Sequence, residues 1–255
     1  MTEQVAPILE FDPSPQAVVE PAAVRSARDV PHGIVLCFFR DVIASAVEQF
    51  GGRAIGTLGS EMGSHPIYEL DYDGQRLGLA LAGVGAPLAA AWLEELIADG
   101  FRAFVACGGA GALVPELTLG HVVVPNAAVR DEGTSYHYLP ATREVHPTDD
   151  AVRAIVATLE RHEVPFVMGK TWTTDAFYRE TRATVARRVI EGCLTVEMEA
   201  AAFFAVARFR GVSFGQVLYA GDDVSSEVWD SRGWGGHTEG RALLFRIAAE
   251  AALSL

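Results

Sequence analysis

Residues 195–199 read Thr-Val-Glu-Met-Glu and run straight into the apolar stretch AAAFFAVARF. Two carboxylates, Glu197 and Glu199, therefore flank Met198 where a β-rich segment gives way to an alanine-rich one. An acid at the edge of a buried element is costly unless it is bound to something polar. It either caps the helix that follows, whose N-terminus stabilises negative charge, or it receives a polar ligand. A second acidic pair, Asp222-Asp223, closes the segment SFGQVLYAGDD, ahead of a polar, glycine-rich stretch, SSEVWDSRGWGGHT, that is expected to form a mobile rim. Adjacent acids let one of them keep its proton near neutral pH and serve as a general acid. The plain alternative is one solvated acid and one helix cap. Gly108 and Gly109 lie in the run ACGGAGAL, where backbone can come close to a ligand. The run is not a dinucleotide fingerprint, because GxGxxG fails at Val114 and Pro115 follows where a helix should begin. Phe177, in TTDAFYRET, is either ordinary core or a face on which a planar base stacks.

The elements that must hold these residues follow from the hydrophobic pattern. GIVLCFF (33–39) is predicted to be a buried strand, and RDVIASAVEQFGG a helix closed by glycines. HPIYELDYDGQRLGLALAG reads as a hairpin turning at Asp73-Gly74, and APLAAAWLEELIADG as an amphipathic helix stopped by Gly100. FRAFVACGGAGAL is predicted to be a strand running into a glycine loop, and LGHVVVPNAAV, PFVMGKTWTT, CLTVEM and SFGQVLYAGDD further strands. TDDAVRAIVATLERHEV, capped by Thr148 or Asp149, then TRATVARRVIEG, EAAAFFAVARFRG and TEGRALLFRIAAEAALSL read as helices. Strands alternating with helices define an α/β layered domain. In such sheets ligands collect outside the carboxyl ends of strands, which is where Glu197, Glu199, Phe177, Asp222 and Asp223 fall. Residues 1–32 carry Pro7, Pro13, Pro15, Pro21 and Pro31 and are expected to form an extended arm, lying on the domain or on a partner subunit. That leaves 33–255 as a single domain.

Composition narrows the function. The chain has 255 residues, is 50% hydrophobic and carries a formal net charge of -13, so it lacks the basic footprint that nucleic acid or an anionic membrane requires. No apolar run reaches membrane-spanning length. The first residues show neither a basic start nor an apolar signal segment. Cys37, Cys107 and Cys193 are odd in number, have apolar neighbours and form no CxxC pair. They suit buried thiols of a cytoplasmic protein and suggest no zinc site.

Taken in order and spacing, GVGAPLAAAWLEEL, CGGAGALVPELTLGHVVVP, TTDAFY, TVEMEAAA and AGDDVS resemble the nucleoside phosphorylase and nucleosidase family. That family holds uridine phosphorylase, hexameric purine nucleoside phosphorylase and methylthioadenosine/S-adenosylhomocysteine nucleosidase. The resemblance implies a three-layer αβα sandwich around a mixed, partly barrel-like central sheet. It implies cleavage of the N-glycosidic bond of a nucleoside by a homo-oligomer, dimer or hexamer, with no metal and no cofactor. Inorganic phosphate would be the co-substrate of a phosphorylase. By the same resemblance Glu199 would accept the ribose hydroxyls, Met198 would pack on the sugar, Glu197 would lie beside it and Phe177 would stack on the base. Asp223 would protonate the leaving purine, with Asp222 as its neighbour. Uridine phosphorylase instead reads uracil with a glutamine and an arginine after the Phe-Tyr pair. FYRETRA here offers Arg179 and Arg182 but no glutamine, which favours a purine-type base.

The sequence also departs from that family. The phosphorylases hold phosphate with a Gly-Asp-Pro turn after the first strand, an arginine before the glycine loop, a hydroxyl within it and an arginine from a neighbour. Here the first strand continues as CFFRDV, the position before the loop is Ala106, the hydroxyl position is Gly109, and His121 replaces a usual aspartate. Phosphate is left with Arg40 at best, beside Gly108 and Gly109. The hydrolytic branch places a water-activating glutamate after the first strand, and Asp41 aligns with it. The sequence therefore leans toward water as nucleophile. Phosphorolysis at a rebuilt site and a non-catalytic nucleoside-binding protein are the alternatives, and Asp41 is equally suited to be a first-turn acid of its helix.

Overall fold

The computed structural model describes residues 6–255, so the first five residues of the arm lie outside it. Ten strands form one mixed sheet: β1 (Gly33–Cys37), β2 (Arg53–Ser60), β3 (Gly63–Tyr72), β4 (Gln75–Leu81), β5 (Ala103–Ala112), β6 (Val122–Asp131), β7 (Glu144–Val145), β8 (Phe166–Thr174), β9 (Cys193–Glu197) and β10 (Ser213–Asp223). Around it lie α1 (Pro21–Val24), α2 (Arg40–Gln49), α3 (Ala86–Asp99), α4 (Asp149–Arg161), α5 (Arg182–Ile190), α6 (Ala200–Arg210) and α7 (Thr238–Leu253). The strand order is β10-β6-β8-β9-β5-β1-β4-β3-β2, and β10 also pairs with β5. That extra pairing closes β5, β10, β6, β8 and β9 into a barrel, from which β1, β4, β3 and β2 extend.

Alternation along the strands builds the layers, because successive side chains face opposite ways. Ile34 and Leu36 of β1 join a core with residues of α3 and α6. Val35 and Cys37 join a second core with residues of α2, α4 and α7. Helices thus cover both faces, as the αβα expectation requires. The α6 segment is apolar all round and is buried without a break from Ala200 to Ala207. Asp73 and Gly74 both adopt positive φ (53° and 82°) and close the β3–β4 hairpin in two residues. All three cysteines are buried and free.

One sequence expectation is corrected. The glycine-rich run is not a loop: β5 continues through Gly108–Gly111 to Ala112, paired to β10 along most of its length. The segment RAIGTLGS, outside every predicted element, is β2, held by antiparallel pairing to β3. The arm's described part runs over its own domain. Arg25 bonds Glu95 and the Thr57 carbonyl, and Arg28 bonds Asp99 and the Ile55 carbonyl. Among the described residues no helix is long and apolar enough to cross a membrane.

Candidate active site

Strands β1, β5 and β10 run parallel and in register, with Cys37 beside Cys107 and Cys107 beside Val217. Their carboxyl ends, with those of β8 and β9, surround two adjoining cavities of about 620 and 660 Å³. The cavities share Gly109, Glu197, Met198 and Trp234, so they form two chambers of one cleft. Larger clefts of about 940 and 920 Å³ lie between the arm and α3 and between α2 and α7. Neither gathers the strand-end acids.

The first chamber holds Phe177, Tyr178, Glu180, Arg182, Asp222 and Trp229. Glycine lets part of its lining pack closely. A Cβ at Gly111 would stand 2.7 Å from Val224 and 2.9 Å from Val196, closer than real contacts allow. Phe177 is 49% exposed and packs its ring 4.1 Å from that of Tyr178, tilted by 42°, at the rim. Asp222 Oδ2 accepts the Trp229 indole N–H at 2.7 Å. Glu180 is half-buried, and its carboxylate has no hydrogen-bond partner among the described residues. Burial, and then the charge of Asp222, push its pKa up to about 7.

At the waist the two glutamates of the Glu-Met-Glu motif take different partners. Glu197 accepts the N–H groups of Glu199 and Ala200 at 2.7 and 2.6 Å and the Thr173 hydroxyl at 2.6 Å. From two residues ahead of the N-cap position it satisfies the first N–H groups at the N-terminus of α6. Glu199 does not cap α6 with its side chain; its Oε1 accepts the Gly85 N–H across the cleft at 2.6 Å. Gly85 presents that N–H from a backbone with φ of 86°, a conformation that favours glycine. Both carboxyls are buried, which raises them: Glu197 to about 7 by desolvation, and Glu199 to about 8 by desolvation and then the charge of Glu197. Met198 lies between them and lines both chambers.

The second chamber holds Phe39, Arg40, Asp41, Gly108, Gln216 and Arg241. Arg241 comes from the first turn of α7, lies over the rings of Phe39 and Trp234 at 5.0 and 5.8 Å, and reaches Asp41 at 3.4 Å. Asp41 is in the first turn of α2, as one of its two expected roles had it. Gln216 is buried, and its Oε1 has no partner among the described residues.

The expectation for Asp223 meets a different geometry. Its Oδ1 accepts the Ser225 N–H and hydroxyl at 2.8 and 2.6 Å, its Oδ2 pairs with Arg232 at 3.0 Å, and it lines neither chamber. Burial raises this carboxyl, but the Ser225 bonds and the Arg232 charge outweigh burial and leave it below the ordinary value. A carboxylate so occupied is a poor proton donor; Asp222 is the acid that faces the cleft. Arg241, Glu180, Trp229, Trp234 and Gln216 escaped the sequence reading. Arg241 alone carried a signal, a cation in the first turn of a helix, where the dipole disfavours it. Among the described residues no group of three or more His, Cys, Asp or Glu is placed to hold a metal.

A cleft built from the carboxyl ends of a barrel-closing mixed sheet, with buried acids at its waist, is the architecture of a known group. The chain belongs to the phosphorylase superfamily, whose family model matches residues 34–240. It is 35% identical to guanosine phosphorylase of Halorubrum lacusprofundi over 153 residues, 60% of this chain and 64% of that protein. The matched stretch thus spans under two-thirds of that curated relative. Uridine phosphorylase from Vibrio fischeri has the same fold, with a TM-score of 0.76 at 23% identity over 94% of this chain and 100% of that one. AMP nucleosidase from Bacteroides thetaiotaomicron superposes with a TM-score of 0.69 at 23% identity, over 88% of this chain and 87% of that one.

Proposed function

We propose that the protein cleaves the N-glycosidic bond of a purine nucleoside with inorganic phosphate as nucleophile. The observation that carries this reading is the two-chambered cleft itself. An aromatic and acidic chamber lies at one end, a waist of Met198 and Glu199 in the middle, and Arg40 with Arg241 at the other end. The leaning toward water rested on Arg40 as the sole cation for phosphate and on Asp41 at the position of the water-activating acid; Arg241 removes the first ground. Arg241 supplies a second guanidinium, and paired guanidinium groups suit a phosphate dianion. The 35% identity to a guanosine phosphorylase points the same way.

In this reading the base lies against Phe177, and the sugar lies on Met198 with its hydroxyls donating to Glu199. Phosphate sits by Arg40, Arg241 and the backbone at Gly108 and Gly109. A phosphate oxygen bonds to C1′ as the C1′–N9 bond breaks, and the bond pair leaves with the base. Asp222 gives a proton to N7, so the base departs neutral and ribose 1-phosphate remains. A positioned acid contributes ~10²–10⁴ in rate to such a step. Glu197 holds the N-terminus of α6 and with it the position of Glu199.

A second reading, hydrolysis with Asp41 activating water, is favoured by the presence of Asp41 in the same chamber. Purine nucleosides incubated with and without phosphate separate the two. Ribose 1-phosphate formed only with phosphate supports phosphorolysis, and free ribose at an unchanged rate without phosphate supports hydrolysis. No cleavage of any nucleoside overturns both.

A further inference from the structure

The arm has no task in the chemistry just described, yet part of it is built closely onto one edge of the sheet. Strand β2 ends the sheet: it pairs with β3 on one side, and among the described residues no strand lies on its other side. Such an edge presents a row of N–H and C=O groups to any further strand. Two carbonyls of that row, Ile55 and Thr57, are taken by the guanidinium groups of Arg28 and Arg25. Carbonyls two residues apart point to the same side of a strand, here away from β3.

The two arginines are themselves held, because each spans a carbonyl of β2 and a carboxylate of α3. Arg25 donates from Nε to Glu95 at 2.8 Å and stands 3.7 Å from Asp99. Arg28 donates to Asp99, a residue only 1% exposed, and its backbone N–H bonds the Asp99 carbonyl at 3.0 Å. Gly56, between the two bonded carbonyls, makes room for the arm: a Cβ there would stand 2.8 Å from Arg28 Cζ. Meeting two acceptors at once is what the planar fork of arginine supplies and lysine does not. Among the described residues no backbone–backbone bond joins the arm to β2, so the arm occupies the edge without extending the sheet.

We propose that Arg25 and Arg28 cover a strand-addition surface, and that the partner they hold off is the β2 edge of a second copy of this chain. Three features fit a second copy. An antiparallel edge carries donors and acceptors in one row, so it complements itself across a two-fold axis. Arg53 is the one charged residue of RAIGTLGS, so two such edges approach without the repulsion that a net charge of -13 imposes elsewhere. A pairing centred on the exposed Thr57 lays the Arg53 end of each strand by the exposed Glu61 turn of the other, opposite charges at both ends. The cover is part of the same chain and acts at any protein concentration, whereas the pairing it prevents grows with concentration.

The test follows the mass of the protein in solution by sedimentation, from dilute to concentrated, for the wild type, Arg25→Ala/Arg28→Ala and Arg25→Lys/Arg28→Lys. The lysine pair keeps a positive charge beside the buried Asp99 and guards against an alanine pair that fails to fold, but it cannot hold carbonyl and carboxylate together. The wild type is expected to keep one mass throughout, whatever its subunit number. Both variants are expected to rise about twofold above it with concentration, as a two-fold pairing requires. The Thr57 and Gly59 amides should become protected from hydrogen exchange in step with that rise, which a general loosening of the arm does not give. Thr57→Lys, added to either pair, sets like charges opposite each other across the axis and is expected to restore the wild-type mass. A mass that stays constant in the folded variants overturns the inference. So does an association that survives Thr57→Lys while the Thr57 and Gly59 amides exchange freely, which would place the contact in the groove between the arm and α3 instead.

Discussion

The two adjacent aspartates at the end of β10 are expected to fail in opposite ways when each is changed to asparagine. Asp222 faces the base chamber with one oxygen held by Trp229. Asparagine keeps that acceptor, so Asp222→Asn should fold as the wild type does. It loses the proton for N7 and should lower kcat on guanosine by ~10²–10⁴, about 3–5 kcal/mol of barrier. Asp223 ties Ser225 and Arg232 together through three contacts, at 2.8, 2.6 and 3.0 Å. Asp223→Asn replaces charge-assisted bonds by neutral ones and should cost about 1–2 kcal/mol of stability, a fall in Tm of roughly 2–8 °C, with little change in kcat. The assay compares guanosine with 7-methylguanosine, whose N7 already carries a methyl group and a positive charge. That base leaves without an N7 proton, so Asp222→Asn should be near wild type on it. Equal losses on the two substrates would refute the assignment of Asp222 as acid. A large guanosine-specific loss in Asp223→Asn would return the role to its neighbour.

Three further outcomes follow from the cleft. Arg241→Ala should raise the KM for phosphate by about 10- to 100-fold, one charge-assisted contact, while the KM for the nucleoside stays within about twofold. Measured in parallel, Asp41→Asn should retain turnover, and its abolition together with an unaffected Arg241→Ala would favour water instead. Glu199→Gln should abolish most turnover yet stabilise the empty protein at alkaline pH. Burial and the Glu197 charge raise Glu199 from 4.5 to about 8. Across that window the folded protein keeps a proton that the unfolded chain has released. Its contribution to stability is therefore full below 4.5 and lost as pH rises through about 8. Glutamine carries no such charge, so melting curves at about pH 9 should favour the variant by about 1–3 kcal/mol, with the advantage gone near pH 5. A variant less stable than wild type at both ends would contradict the assigned burial cost.

The layered α/β order was legible because strand and helix periods are strong in this chain, and α6 announced its burial by having no polar face. Gly108–Gly111 misled because glycine disfavours strands, whereas here pairing to β10 overrides that preference. The β2 strand escaped because seven of its eight residues are not fully buried, so no alternation marks it. Which acid of Asp222-Asp223 faces the cleft was not legible. Register between β5 and β10 shifts between Ala220 and Asp223, and one residue of slip turns a side chain to the other face. Arg241 and Asp41 stand 200 residues apart in the chain, and only the packing of α7 beside α2 brings them together. The Glu-Met-Glu motif was half legible: the choice between cap and ligand site was posed for both acids, and Glu197 serves the N-terminus of α6 while Glu199 spans the cleft.

The distribution of parts over strands explains how one cleft can hold so many acids. Glu180, Glu197 and Glu199 are all raised toward neutrality by burial, so the empty site carries fewer negative charges than its composition suggests. In the proposed reading, a waist raised toward neutrality repels less strongly a phosphate placed by Arg40 and Arg241. There a sugar donates its hydroxyls to Glu199, which already accepts the Gly85 N–H, and so stabilises its charged form. On that reading negative charge appears beside C1′ only with substrate in place, as the sugar becomes cationic in the step that breaks the bond. In the proposed reading the nucleophile side hangs from the end of β1 and from α7, the sugar side from β9, and the base side from β8 and β10. Because rigid, paired strands separate these three parts, a substitution in one chamber leaves the others standing, which is what makes the single-residue exchanges above interpretable one at a time.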